Sequence, residues 1–226
     1  MLQLDGAALF WDCHDIPFRS RPIRRISYDR KGGILLGWMQ LLTPDRCFSS
    51  FADVTPSFLR ENGIAALACD IDNTLVTYDD AVPTPTVLAW LEMLHAAGIS
   101  VGFVSNNHIQ RVMQFCRELS MPFFVAPDAK KPSCAALRRF LKQTGYPAAQ
   151  VAVLGDQIFT DVLMGKRLGC RAFLVPPIKD RTDWFHRLKR RGEQPFLHRY
   201  CRQMCRRGML SPGDSPFAPV RSNEET

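Results

Sequence analysis

Two carboxylates, Asp70 and Asp72, stand at the end of the apolar run in LACDIDNTLV, residues 67–76, with Thr74 just beyond. Carboxylates this close repel one another and are costly to desolvate, so a fold places them at a strand end only where something positive shares the site. Further along, Ser105, Asn106 and Asn107 follow VGFV, Lys131 stands in DAKKPS, and Asp156 and Asp161 fall within VAVLGDQIFTD. Each alone reads as a turn or cap residue, or as a solvated lysine. Together, two anionic pairs, a hydroxyl and a lysine fit phosphoryl transfer through a metal ion. A divalent cation holds opposing carboxylates together there, and fixed cations and dipoles bind the phosphoryl oxygens.

The elements that must position these groups alternate between β-rich runs and amphipathic segments over residues 64–175, the pattern of βαβ units around a parallel sheet. Strands are expected at 64–71, 100–105, 122–126, 150–155 and 171–175. Between the first two, TPTVLAWLEMLHAAG has Thr84 as N-cap, Pro85 at the first helical position and Gly98 as the stop, with Val87, Leu88, Leu91 and Leu94 on one face. Segments 108–119, 133–144 and 158–168 repeat the pattern, two of them ending at Gly145 and Gly169. In such a sheet ligands bind at the carboxyl ends of the strands, near the point where strand order reverses. Asp70 and Asp72 leave the first strand there, Ser105, Asn106 and Asn107 the second, Lys131 follows the third, and Asp156 and Asp161 leave the fourth.

The rest of the chain is less periodic. Residues 39–62 read as a lead-in that packs a short helix, 56–61, on the sheet. Residues 1–38 read as an N-terminal extension, with Met39 as a plausible start of the domain, which then runs from 39 to 207. The Pro-, Ser- and Gly-rich stretch 208–226 reads as a disordered tail.

With 226 residues, one sizeable core is expected, and the net charge of +7 points to an anionic partner without saying which. The eight cysteines form no C-x-x-C pair and no zinc-ligand spacing, so they read as reduced thiols in a cytoplasmic protein. Asp5, Asp12 and Asp15 near the N-terminus do not resemble a signal peptide. The apolar stretch GILLGWMQLL at 33–42 falls far below the ~18 residues of a membrane span.

The order D-x-D-x-T, S-N, K-P and G-D-x-x-x-T-D resembles the haloacid dehalogenase (HAD) superfamily. The wording DIDNTLV, VSNN, KP and GDQIFTD is similar to its subclass IIIA, the group of the YqeG and mitochondrial phosphatidylglycerophosphate phosphatases. The resemblance covers about residues 40–195. It implies an α/β fold, a Rossmannoid three-layer sandwich with a central parallel sheet, and a phosphatase working through an aspartyl-phosphate. It makes Asp70 the nucleophile and Asp72 the general acid and base. Ser105, Asn106 and Lys131 would hold the phosphoryl oxygens. Mg²⁺ would be held by Asp70, the Asp72 carbonyl and Asp156, with Asp161 bound through water or as an outer partner. The motif lysine directly precedes proline, which selects Lys131 over Lys130.

Ser105 follows Asp72 by 33 positions and Lys131 follows Ser105 by 26, room for one helix in each interval and none for a cap domain. A site without a cap suits a phosphate on something large: a lipid, a nucleic-acid end or a protein. In QPFLHRYCRQMCRRGML, Pro195 can open a helix with Phe196, Leu197, Tyr200, Cys201, Met204 and Cys205 on one face and Arg199, Arg202, Arg206 and Arg207 elsewhere. Upstream, Trp184, Phe185 and Leu188 stand beside Arg187, Lys189, Arg190 and Arg191. Two readings stay open: a peripheral contact with an anionic membrane, on its inner face, or apolar faces docked on the domain. Nucleic acid is disfavoured, since no aromatic platforms interleave with basic residues. A non-catalytic scaffold would be expected to lack at least one of Asp70, Asp72, Lys131 or Asp156, and all four are present.

Overall fold

The computed structural model describes residues 34–179 and 184–219. Six strands form one all-parallel sheet: β1 (Arg46–Cys47), β2 (Ala66–Cys69), β3 (Ser100–Val104), β4 (Phe124–Ala126), β5 (Val151–Gly155) and β6 (Arg171–Leu174), in the order β1-β6-β5-β2-β3-β4. From β2 the chain moves outward through β3 and β4, then returns to place β5 on the other side of β2. The reversal opens a crevice beside the carboxyl ends of β2, β3 and β5, which is where the acidic and polar residues stand.

Seven α-helices accompany the sheet among the described residues: α1 (Ile34–Leu41), α2 (Pro56–Glu61), α3 (Pro85–Ala96), α4 (Ile109–Cys116), α5 (Ala135–Thr144), α6 (Leu163–Arg167) and α7 (Trp184–Arg206). Thr84 caps α3 by accepting the Val87 N–H at 3.3 Å, with Pro85 at its first position. A π-helical turn, Ile158–Val162, leads into α6.

Alternation along the strands fills both faces, giving three layers. Leu67, Cys69, Val101, Phe103, Ala152 and Leu154 face a cluster with Trp90, Leu91 and Leu94 of α3 and Phe115 of α4. Ala66, Ala68, Val104, Val151 and Val153 face α5 and α6 through Leu137, Phe140 and Met164. A third cluster, at the β1 end of the sheet, joins Cys47, Ala172 and Leu174 to Leu197, Tyr200 and Met204 of α7.

Three expectations are revised. The lead-in supplies not only α2 but also the edge strand β1, paired with β6 through Arg46↔Phe173 and Cys47↔Leu174; two residues are too few to carry a period. The C-terminal basic segments form one helix that runs through Pro195. Pro195 is exposed, so water can meet the carbonyl it leaves unpaired, while burial of Leu197, Tyr200 and Met204 holds the second half in place. Residues 208–219 carry turns, with Leu210 buried and Phe217 and Ala218 packed on the third cluster, whereas composition reads them as disordered. Of the segments read as extension and tail, residues 1–33 and 220–226 lie outside the described residues.

Candidate active site

Asp70 is the first residue beyond β2, and its N–H still donates to Leu154 of β5 at 2.8 Å, so the sheet ladder fixes its position. The chain then turns sharply. Asn73 takes a positive φ of 66°, its N–H donates to the Val76 carbonyl, and the N–H groups of Thr74, Leu75 and Val76 all point to the Ile71 carbonyl. Asn is one of the few side-chain-bearing residues that tolerate this conformation. Its amide also exchanges hydrogen bonds with the backbone of Lys179, at 2.9 Å each, tying the turn to the segment after β6.

The residues singled out in the sequence meet at this end of the sheet. Asp70, Asp72, Ser105, Lys131, Asp156 and Asp161 are all buried. Lys131 Nζ lies 2.7 Å from Asp70 Oδ1 and 2.7 Å from Asp161 Oδ1. Lys130, at a φ of 52°, is exposed. Carboxylate oxygens of Asp70, Asp156 and Asp161 all lie within 4.8 Å of one another. Asp161 reaches this cluster because the π-helical turn carries it back under the end of β5, where it lies against Gly155: a Cβ there would fall 2.5 Å from Asp161 Cβ and 2.7 Å from Oδ2. Gly155 therefore belongs to the site through the side chain it lacks.

The Asp72 side chain stands apart from the three clustered acids. Its Oδ2 accepts from Asn107 Nδ2 at 3.2 Å and from Ser105 Oγ at 3.5 Å, the latter a long contact. Its Oδ1 lies 3.0 Å from Arg111 Nη2, but the guanidinium directs its hydrogens to the carbonyls of Ala81 and Thr77, so Oδ1 is ion-paired without receiving a hydrogen bond. The Asn106 amide is engaged with Lys131: its Oδ1 accepts the Lys131 N–H at 2.6 Å and its Nδ2 donates to the Lys131 carbonyl at 3.4 Å. It seats the lysine rather than pointing at the acids.

Sequence reasoning missed Arg111 and a pair on α7, and it named Asn107 and quoted Gly155 within a motif without giving either a role. Arg190 donates to the Asp156 carbonyl at 2.7 Å and to its Oδ2 at 2.8 Å, and pairs with Glu193 at 2.9 Å. Read as a surface cation, Arg190 is instead turned inward. Lys189 joins it, bonding Gln157 Oε1. Helical spacing alone cannot tell an arginine that faces solvent from one that faces a neighbouring strand end.

Crowding of acids sets the electrostatics. Burial, with Asp161 and Asp156 beside it, pushes the Asp70 carboxyl up to about 8 despite Lys131. Burial and Asp161 raise Asp156 to about 6, against the pull of Arg190. Burial opposes the Lys131 ammonium, yet Asp161 and Asp70 hold its pKa above the ordinary lysine value. These acids therefore favour a further positive charge. One oxygen is poised for it: Asp156 Oδ1 is buried with no hydrogen-bond partner. Three carboxylates and an orphaned oxygen suit a hard divalent cation such as Mg²⁺.

A family model described as haloacid dehalogenase-like hydrolase matches residues 32–169. The chain is 34% identical over 154 residues to "Probable phosphatase YqeG" of Bacillus subtilis (strain 168), across 68% of this chain and 88% of that protein. Among solved structures, the cobalt-bound deoxy-D-mannose-octulosonate 8-phosphate phosphatase (YrbI) of Haemophilus influenzae matches at 20% identity with a TM-score of 0.42, covering 50% of this chain and 69% of that one. An uncharacterized protein from Listeria monocytogenes serotype 4b matches at 16% identity with a TM-score of 0.42, covering 53% and 85%. On the family model and the Bacillus relative, the chain belongs to the haloacid dehalogenase-like hydrolase family and is an enzyme of the phosphatase type within it.

Proposed function

We propose that the protein is a Mg²⁺-dependent phosphomonoester hydrolase that works through an aspartyl-phosphate on Asp70, with a lipid phosphate such as phosphatidylglycerophosphate as its substrate. The observation that carries the reading is the meeting of Asp70, Asp156 and Asp161 within 4.8 Å, with Lys131 bridging two of them. When bound, Mg²⁺ would be held by the Asp70, Asp156 and Asp161 carboxylates and the Asp72 carbonyl, and would neutralise charge on the phosphoryl group.

Asp70 attacks phosphorus, a bond forms from its carboxylate oxygen, and the bond to the substrate alcohol breaks. Asp72 protonates the leaving oxygen, then takes a proton from the water that hydrolyses the aspartyl-phosphate. Asn107 and Arg111 hold its two oxygens in place for that exchange. Ser105 and Lys131 hold phosphoryl oxygens, and Asn106 keeps Lys131 in place.

The substrate class rests on access. Between Asp72 and Ser105 the chain holds α3, and between Ser105 and Lys131 it holds α4 and β4, with no inserted domain in either interval. The apolar face of α7 predicted from 196–205 is spent on packing against the third cluster. What faces outward on α7 is a stripe with Trp184 (75% exposed), Leu188 (58% exposed), Arg191, Arg202 and Arg206. The helix also touches Asp156 through Arg190, so its exposed start lies beside the crevice. An anionic bilayer complements this stripe, each basic residue contributing roughly 1 kcal/mol near the surface. The side chain of Phe185 lies outside the described residues. Among the described residues no helix is long and apolar enough to cross a membrane.

Release of phosphate should be compared across phosphatidylglycerophosphate in vesicles, a 5′-phosphorylated oligonucleotide, a phosphopeptide and a sugar phosphate. Preference for the lipid supports the reading. Preference for any other member of the panel replaces the substrate and keeps the chemistry, and release from none of them, nor from an aryl phosphate, leaves a scaffold.

A further inference from the structure

The residues matched by the family model end at 169, before α7 begins at Trp184. Yet α7 reaches the centre of the acid cluster. Arg190 grips Asp156 twice, at the main-chain carbonyl through Nη1 (2.7 Å) and at Oδ2 through Nη2 (2.8 Å). A guanidinium that holds the backbone and the carboxylate of one residue fixes the side-chain torsions between them. With Oδ2 occupied, Oδ1 is the oxygen left buried and without a donor.

Arg190 is itself held. Glu193, 2% exposed, accepts from Arg190 Nη1 through Oε2 at 2.9 Å, and its Oε1 accepts the Ile158 N–H at 2.9 Å. Ile158 opens the π-helical turn that carries Asp161. One residue of α7 therefore holds the strand-end acid and its neighbour holds the turn bearing the next acid. A buried glutamate with both oxygens engaged in this way costs too much desolvation to be incidental packing.

We propose that Arg190 and Glu193 are positioning residues of the active centre, a clamp from α7 that presents Asp156 Oδ1 to the divalent cation and registers it against Asp161. The proposal rests on the cation reading given above. It makes α7 part of the active centre through its inner face, independently of what its outer face meets. Partners that orient metal ligands typically change affinity by about 10- to 100-fold when removed.

The test is calorimetric titration of the full chain with Mg²⁺, without substrate, for wild type, Arg190→Ala, Arg190→Lys and Glu193→Gln. The metal-free melting temperature of each reports folding separately. Arg190→Ala should weaken Mg²⁺ binding at least about tenfold. Arg190→Lys, which can hold one Asp156 oxygen but not both, should fall between it and wild type, and should recover most of its turnover of an aryl phosphate at saturating Mg²⁺. Glu193→Gln, which keeps an acceptor for Ile158 but loosens Arg190, should also weaken binding. Wild-type affinity in Arg190→Ala overturns the clamp; should that variant fail to fold, wild-type affinity in both Arg190→Lys and Glu193→Gln overturns it. Absence of Mg²⁺ binding in wild type sinks the cation reading and the clamp together, an outcome distinct from a wild type that binds and variants that bind equally well.

Discussion

Gly155→Ala is the smallest change that should disable the centre without touching a charged group. The added methyl would meet Asp161 at Cβ (2.5 Å), at Oδ2 (2.7 Å) and, closer still, at Cγ. Ordinary carbon contacts lie near ~3.5–4.0 Å, so one side must retreat by about 1 Å. β5 is paired on both sides, to β2 and β6, so Asp161 is what moves. It is 1% exposed and held to Lys131 at 2.7 Å, a contact that a shift of that size breaks. Overpacking costs about 1–3 kcal/mol, and a lost charge-assisted hydrogen bond adds about 1.5–3 kcal/mol. At about 2–4 °C per kcal/mol for a chain of this size, the melting temperature should fall by about 5–24 °C. Turnover should drop about 100-fold, the usual consequence of misplacing a group in the centre by 1 Å. Gly102→Ala is the control: its methyl meets the Phe140 ring at 2.7 Å, so it should lower stability while leaving the response to Mg²⁺ intact. Thermal melts with and without Mg²⁺ and an aryl phosphatase assay decide the matter. A Gly155→Ala protein that melts and turns over like wild type would refute the role given to Asp161 and its glycine.

Asp70→Asn should remove both turnover and an acid-labile phosphoenzyme trapped on rapid quenching, whereas Asp72→Asn should still form some phosphoenzyme and release it slowly; near-wild-type turnover of Asp70→Asn excludes the mechanism. Chelation should abolish activity and Mg²⁺ restore it. Because Asp70 and Asp156 are raised in the folded protein from 3.8 to about 8 and about 6, the metal-free fold binds more protons than the unfolded chain above the ordinary Asp value and loses stability as pH rises from there to about 8. The rise in melting temperature produced by Mg²⁺ should therefore grow from about pH 5 to about pH 8, and a pH-independent rise would contradict the linkage. Co-sedimentation with anionic vesicles should weaken with salt and in Arg191→Gln/Arg202→Gln/Arg206→Gln with Trp184→Ala, while aryl phosphate hydrolysis stays unchanged; undiminished sedimentation leaves α7 a packing element only. A chain beginning at Met39, which cuts into α1 (Ile34–Leu41) but keeps the buried Leu42, should remain folded and active; an insoluble product would place the earlier residues in the core.

Most of the centre was legible because Asp70, Ser105 and Asp156 directly follow β2, β3 and β5, where period and position coincide, while Lys131 and Asp161 stand in ordered motifs a few residues beyond β4 and β5. Asp70, Asp72, Ser105, Lys131, Asp156 and Asp161 are all found at that end of the sheet. What escaped acts from α4 or α7, or through an absence. Arg111 and Arg190 occupy positions in amphipathic helices that suit solvent equally well, and only the packing of α4 and α7 turns them toward Asp72 and Asp156. Gly155 carries no side chain to read. The edge strand β1 is too short for a period, and Pro195 reads as a helix start because the burial that carries the helix through it is tertiary.

The ion pairs around the crevice also imply an order of events. Five acids meet there, Asp70, Asp72, Asp156, Asp161 and Glu193, against four cations, Arg111, Lys131, Lys189 and Arg190. With every acid ionised the neighbourhood sums to one negative charge, and since Asp70 is raised to about 8 that charge is reached only as its proton leaves, which an arriving divalent cation favours and a phosphate dianion does not. Arrival of that cation reverses the sign and makes the same crevice receptive to phosphate. Inorganic phosphate, as product, should accordingly compete with substrate only when Mg²⁺ is present, and its grip on the protein should be lost to chelator. Cation and phosphate thus bind in a fixed order, the first preparing the crevice for the second.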